Sequence, residues 1–271
     1  MRYDNLSETV SIKRISEDQK NGVFEIDGLY SGYGITMGNA LRRILLSSLP
    51  GAAITQVKIK GVSHEFSTIS GVQEDVVEIL LNLKRIRFKM WTDEPQVLSL
   101  KEKGEGAISA SMIKSNSQVE VVNGDELIAT ITDKHGEIDM EITVEKGLGY
   151  VPSEARKAQK LGVGIMAIDS IFTPVVSVNF SIENMRVEDK TDYNKLKISI
   201  ETDGTITPSF AIKRASEILE SHFKEVAKLE VLGEKPPKKE VLEVEESKDD
   251  ESEEKSEKDK KAPKKAKKAK K

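Results

Sequence analysis

The chain has 271 residues, 37% of them hydrophobic and 32% charged, with a formal net charge of −4. That length can hold one or two domains with real cores. No cysteine is present, which excludes disulfides, thiolate nucleophiles and Cys-based zinc sites together.

The start, Met1-Arg2-Tyr3-Asp4-Asn5, lacks the apolar core of a signal peptide, and no uncharged apolar run reaches about 18 residues. A cytoplasmic protein without a membrane role is expected. Residues 8–30 predict two strands, Thr9–Ile15 and Gly22–Leu29, joined near Glu17–Asn21. Gly32-Tyr33-Gly34-Ile35-Thr36-Met37-Gly38 then reads as a glycine-rich turn feeding a short helix, with Thr36 as N-cap and Pro50 as stop. Along that helix Met37, Ala40, Leu41, Ile44, Leu45 and Leu49 span about 180°, wider than the roughly 100° a surface helix needs. Such a stripe can cover its own sheet and leave apolar area for a second body. Asn39 and Arg43, spaced i, i+4, share the remaining polar face with Arg42 and Ser47. The glycines match neither phosphate-cradling pattern, so Gly32, Gly34 and Gly38 predict a turn that needs positive φ.

After Pro50-Gly51 strands dominate. Ile54–Val62 alternates as a half-buried strand. The stretch from His64 to Lys84 ends in an amphipathic helix carrying Val76, Ile79, Leu80 and Leu83, with Glu74 and Asp75 early, where the helix dipole favours acids. Further strands are predicted at Gln96–Leu100, Val119–Val122, Leu127–Thr132 and Ile138–Val144, with turns at Asn123-Gly124 and His135-Gly136. Lys146–Pro152 opens a loop toward the polar stretch Glu154–Lys160. Val176, Val178, Phe180 and Ile182 fall in step on one strand, and Leu196, Ile198 and Ile200 on the next, Tyr193–Thr202. Asp203-Gly204 is a two-residue hairpin signal.

Thr207-Pro208 gives an N-cap and an N1 proline to the longest predicted helix. Ala211, Ile212, Ala215, Ile218, Leu219, Phe223, Val226 and Leu229 fill a stripe of about 140° on it, and Gly233 ends it. Beyond Pro236-Pro237 the charge is segregated: Glu240–Asp259 holds 11 acids against 3 bases, and Lys260–Lys271 holds 8 lysines and no acid. Such a segment cannot bury enough apolar surface to fold. Its lysines suit either a salt-sensitive contact with nucleic-acid phosphates or a solvated tail screened by its own acidic half.

Six blocks, Gly32–Pro50, Val62–Lys84, Lys146–Pro152, Asp169–Val175, Glu183–Leu196 and Thr202–Pro208, resemble the N-terminal domain of the bacterial RNA polymerase alpha subunit in order and spacing. Together they cover residues 8–232. The resemblance implies an α+β fold: a dimerisation domain from residues 1–50 plus 175–233 and a mostly β domain inserted at 51–174; the composition adds a disordered charged tail at 234–271. It also implies a homodimer that recruits the beta and beta-prime subunits, with omega and sigma joining in the holoenzyme and DNA reached through the assembled complex. The beta-facing residues would be Asn39, Arg42, Arg43, His64, Glu65, Gln73, Glu74 and Asp75. Those facing beta-prime would be Gly149, Tyr150, Arg186, Val187, Glu188, Thr191 and Asp192. The dimer seam would use Leu41, Ile44, Leu45, Leu49, Ile218, Leu219, His222, Phe223 and Val226.

No catalytic residue, metal or cofactor is expected. His64, His135 and His222 lack metal-ligand spacing, and no aspartate run resembles the two-metal site that nucleotide polymerisation requires. In the family that site belongs to beta-prime. The chain departs from the family at Asp27-Gly28-Leu29-Tyr30-Ser31, where a proline and charges are usual, and at Ser209-Phe210, where acids are. Its charged tail stands where the family continues into a small promoter-binding domain, so recognition of upstream DNA by such a domain is expected to be absent. Two other functions remain open on sequence: a regulatory alpha paralogue, and a stand-alone enzyme using the glycine turn for a phosphorylated ligand.

Overall fold

The computed structural model describes residues 9–157, 162–187 and 190–229. Glu188, Gly233 and the charged tail lie outside the described residues. The fold is α+β. In chain order, β1 (Ser11–Glu17) and β2 (Asn21–Leu29) lead into α1 (Tyr33–Ser47) and β3 (Pro50–Ile59). Then come α2 (Val76–Leu83), β4 (Phe88–Met90), β5 (Gln96–Lys103), β6 (Gly106–Ser109), β7 (Val119–Val121), β8 (Leu127–Ile131) and β9 (Glu137–Leu148). The rest is β10 (Tyr150–Val151), α3 (Ser153–Lys157), β11 (Ile165–Ala167), β12 (Ser170–Ile171), β13 (Val175–Val187), β14 (Lys190–Thr202) and α4 (Pro208–Val226).

The two ends of the described chain build one sheet, ordered β1-β2-β14-β13, all antiparallel. Its alternating inward residues, Ile26, Leu196, Ile198, Ile200 and Val178, form one hydrophobic cluster with Leu41 and Leu45 of α1 and Ala211 and Ala215 of α4. The middle of the chain builds a second sheet, ordered β5-β9-β3-β4-β7, with β11 paired to β3. The unbroken alternation of Ile138, Met140, Ile142 and Val144 on β9 puts all four in its core, beside Val76, Ile79 and Leu83 of α2.

Four local expectations are corrected. The first helix starts at Tyr33, not after Thr36; Gly32 is its N-cap, in a left-handed conformation with φ 85°. Thr36 instead lies within the first turn, its hydroxyl 3.4 Å from the Gly32 carbonyl. Of the three glycines only Gly32 needs positive φ. Gly34 and Gly38 are helical, and their role is close approach: a Cβ on Gly34 would lie 3.0 Å from the Asn194 Cβ, and one on Gly38 2.7 Å from the Phe180 ring.

Val176 is out of step with Val178, because the pairing register shifts between Val175 and Ser177. That bulge turns Val175 inward and leaves Val176 exposed. Asp203-Gly204 joins β14 to α4 rather than two strands; Asp203 Oδ1 accepts from the Thr205 amide at 2.9 Å and its hydroxyl at 2.6 Å. A turn dipeptide cannot form a hairpin when a capped helix follows it. That cap is as expected: Thr207 accepts from the Phe210 amide, with Pro208 at the helix start.

Gly38→Ala should therefore force α1 off the β13–β14 surface, where the added methyl would meet the Phe180 ring at 2.7 Å and Leu196 Cδ1 at 3.1 Å. A loss of about 1–3 kcal/mol is expected, read from urea unfolding; an unchanged midpoint would show that the helix can shift freely.

Candidate interaction surfaces

α1 lies against β13, β14 and α4. Its buried line, Gly34, Gly38, Leu41 and Leu45, repeats at helical spacing and turns the opposite side to solvent. Asn39, Arg42 and Arg43 are all exposed there. Among the described residues neither arginine has an ion-pair partner. Both guanidinium groups are thus available as planar donors for carboxylates or carbonyls.

The His64–Asp75 stretch divides into anchors and exposed groups. Glu74 is buried, and its carboxylate accepts from the Thr130 amide at 2.6 Å, stitching the loop to β8. Asp75 caps α2 by accepting from the Glu78 amide at 2.7 Å. Glu74 thus anchors the loop, whereas Asp75 caps the helix while itself remaining exposed. His64 and Gln73 are exposed, with His64 Nδ1 3.1 Å from the Ser67 hydroxyl. Glu65 is half-buried beside Phe66, whose ring is exposed.

Glu65 and Phe66 line an open groove of about 280 Å³ together with Leu81, Lys84 and Asp169. Lys84 Nζ is 3.3 Å from Asp169 Oδ2 and 5.7 Å from the centre of the Tyr150 ring. The Ser153 amide donates to Asp169 Oδ1 at 2.9 Å. That amide first, then Lys84 and Tyr150, holds the Asp169 carboxyl down at about 2, against the opposing effect of burial. The same hydrogen bond to Asp169 raises the Tyr150 hydroxyl. Tyr150, preceded by Gly149 at φ 63°, therefore stands beside α2 and the His64–Asp75 loop.

Arg186, Val187, Thr191 and Asp192 lie elsewhere, at the far end of β13 and β14, where Thr191 and Asp192 are exposed. The structure adds an aromatic group there. Tyr30 meets Tyr33 edge-on at 6.3 Å and Tyr193 at 5.9 Å, and Lys190 lies 5.9 Å over the Tyr30 ring. The residues expected to face beta-prime thus fall into two neighbourhoods.

The expected seam residues also divide. Leu41, Leu45 and Leu49 are buried in the chain's own core, so they can act on a second body only through the helix they hold. Ile44, Ile218 and Leu219 are half-buried. Past them α4 loses its cover among the described residues: His222 is exposed, as are Phe223 (65%) and Val226 (69%), and so is Leu229 (79%) just beyond the helix. Beside its covered half, Ile12, Phe24 and Ile212 line an open groove edged by Arg14, Lys213, Glu217 and Glu220.

Among the described residues no group of three or more His, Asp or Glu could hold a metal ion, and no helix is long and apolar enough to cross a membrane. What these residues display is contact chemistry: Arg42 and Arg43 without an ion-pair partner among the described residues, clustered tyrosines and an exposed apolar helix end.

Residues 57–173 match the family described as the RNA polymerase Rpb3/RpoA insert domain. A DNA-directed RNA polymerase subunit alpha from Symbiobacterium thermophilum is 50% identical over 209 residues, covering 77% of this chain and 66% of that protein. Its counterpart from Alkaliphilus oremlandii is 48% identical over 214 residues, covering 79% and 67%. That from Moorella thermoacetica is 48% identical over 207 residues, covering 76% and 66%. The chain belongs to the family of DNA-directed RNA polymerase alpha subunits. It spans about two thirds of the length of the curated relatives it matches.

Asp169→Asn should lower stability at neutral pH. Because the folded carboxyl titrates at about 2 and an unfolded one near ~3.9, the wild-type advantage is complete above the unfolded value and fades as pH falls through the folded one. Urea midpoints of both proteins from neutral to acid pH should converge. A constant gap would mean that the charge on Asp169 contributes nothing.

Proposed function

We propose that this chain is an assembly scaffold of a DNA-directed RNA polymerase and carries no catalytic residue itself. Two copies pair through α1 and α4, using residues 1–50 and 175–233 as the dimerisation part, with 51–174 as an inserted part. The exposed face of α1, with His64, Glu65 and Gln73, receives beta. Tyr150 and the ends of β13 and β14 receive beta-prime, and omega and sigma join the assembled enzyme. DNA is then reached through the complex, in the cytoplasm. Family membership supports the general role. The observation that carries the residue-level reading is the α1 face, where Asn39, Arg42 and Arg43 are exposed and neither arginine has an ion-pair partner among the described residues.

Pairing is supported by α4. Phe223 and Val226 at the end of α4, with Leu229 just beyond it, are exposed among the described residues, which is costly in water, since each large apolar side chain gains about 1.5–3 kcal/mol on full burial. The groove beside Ile12, Phe24 and Ile212 offers apolar surface of the same chain to a second copy, as a two-fold, self-complementary contact would use it.

Two variants separate pairing from recruitment. Arg43→Ala should leave the dimer intact and weaken capture of beta by about tenfold or more, as expected for loss of a charge-assisted contact. Co-purification of tagged chain with quantified beta and beta-prime reads this directly; equal beta recovery would remove Arg43 from the docking face. Val226→Asp should give a folded monomer at micromolar concentration in sedimentation, and a persisting dimer would move the seam away from α4.

A further inference from the structure

The first turn of an α-helix leaves four amides without partners inside the helix, and α1 has no side-chain cap of its own, because its N-cap is Gly32. The acceptor comes from far along the chain. Asn194 of β14 places Oδ1 2.9 Å from the Gly32 nitrogen and 3.3 Å from the Gly34 nitrogen. Both amides donate, so the oxygen of the side chain must face them, and its Nδ2 is left to donate to Asn184 Oδ1 at 3.4 Å. Asn194 is buried, at the next inward position of a strand whose other inward residues are Leu196, Ile198 and Ile200. A polar side chain there would be costly unless bonded. Gly34 has no room above it: its missing Cβ would meet the Asn194 Cβ at 3.0 Å.

We propose that Asn194 is the positioning residue of the docking helix: a cap supplied by the sheet that fixes where α1 begins and how it is rotated. The inference rests on the reading of the α1 outer face as the surface for beta. Asn39 and Arg43 sit on the same short helix, and a first turn released from the sheet would let that face tilt. Asn194 touches no partner; it acts through α1.

The test uses the full-length dimer with Asn194→Leu, which removes the acceptor, and Asn194→Asp, which keeps it, gives up the long donation to Asn184 (whose amide can turn to donate instead) and adds a charge that a helix N-terminus favours. Amide exchange at Gly32 and Gly34 should be slowed in the wild type although Gly32 is exposed. In Asn194→Leu both amides should exchange faster, and beta should leave the dimer about fivefold sooner, the scale set by loss of one cap. The dimerisation constant should not change. Asn194→Asp should restore both readouts to within about twofold. Unprotected wild-type amides overturn the inference. So does an Asn194→Leu dimer that holds beta like the wild type, or an Asn194→Asp dimer that fails to restore capture. Should Asn194→Leu not fold, wild-type exchange and Asn194→Asp still decide. A wild-type dimer that captures no beta overturns the docking reading itself; normal capture with unprotected amides overturns only the role of Asn194.

Discussion

Between α1 and the β13–β14 pair there is no space for a side chain at Gly34 or Gly38, and Phe180, Ile182, Leu196 and Asn194 occupy the surface those glycines meet. Helix backbone rests almost directly on sheet. This close approach sets which residues of α1 are buried, and by elimination which are displayed: with Gly38, Leu41 and Leu45 facing the sheet, Asn39 and Arg43 can only face outward. The glycines weaken the helix intrinsically, by roughly 1 kcal/mol each relative to alanine. Burial of Leu41 and Leu45 and the bonds that the Gly32 and Gly34 amides donate to Asn194 offset that. The helix is held by its tertiary setting rather than by propensity.

Much of this was legible in the chain. The alternation on β9 and β14, the amphipathic run of α2 and the Thr207-Pro208 start of α4 all carry periodicities that only one structure satisfies. The failures share a cause, which is that local pattern yields to a distant partner. Thr36 looks like an N-cap because it is the nearest hydroxyl, but the acceptor that serves α1 lies 160 residues away in sequence. Val176 continues the count of two along its strand until a bulge shifts it. Asn194 did leave a signal: it is the polar member of the inward series that Leu196, Ile198 and Ile200 continue, and a polar residue at an inward position announces a bonding partner.

The candidate surfaces show the same limit. Acids at the start of a helix can face a partner or hold the fold, and sequence cannot separate the two. Glu74 and Asp75 both hold the fold, because each accepts a backbone amide, but Glu74 is buried while Asp75 stays exposed. Tyr150 was grouped with Arg186 to Asp192, yet it sits with Lys84 and Asp169. Asp169 organises that corner. One carboxylate accepts from Ser153 of α3 and pairs with Lys84 at the end of α2, and the Lys84 ammonium lies over the Tyr150 ring of β10. Three elements that share no periodic pattern are joined by one charge, which composition and spacing could not reveal.

α4 carries the last step, because its two halves live in different environments. Toward its start the inward residues are small, Ala211 and Ala215, and both are fully buried; small side chains let the helix come close to the sheet, as the glycines do for α1. Toward its end the residues on the apolar stripe become large, Phe223 and Val226, and nothing among the described residues covers them. A helix that needed only to close its own core would reverse that order, ending in polar residues where the sheet stops. Small residues where backbone must approach, and large ones where a further body must be reached, are what a helix requires when it serves one core inside the chain and a second between copies. That division, more than any single contact, is why the proposed pairing places its seam at the end of α4 and leaves the outer face of α1 to the larger subunits.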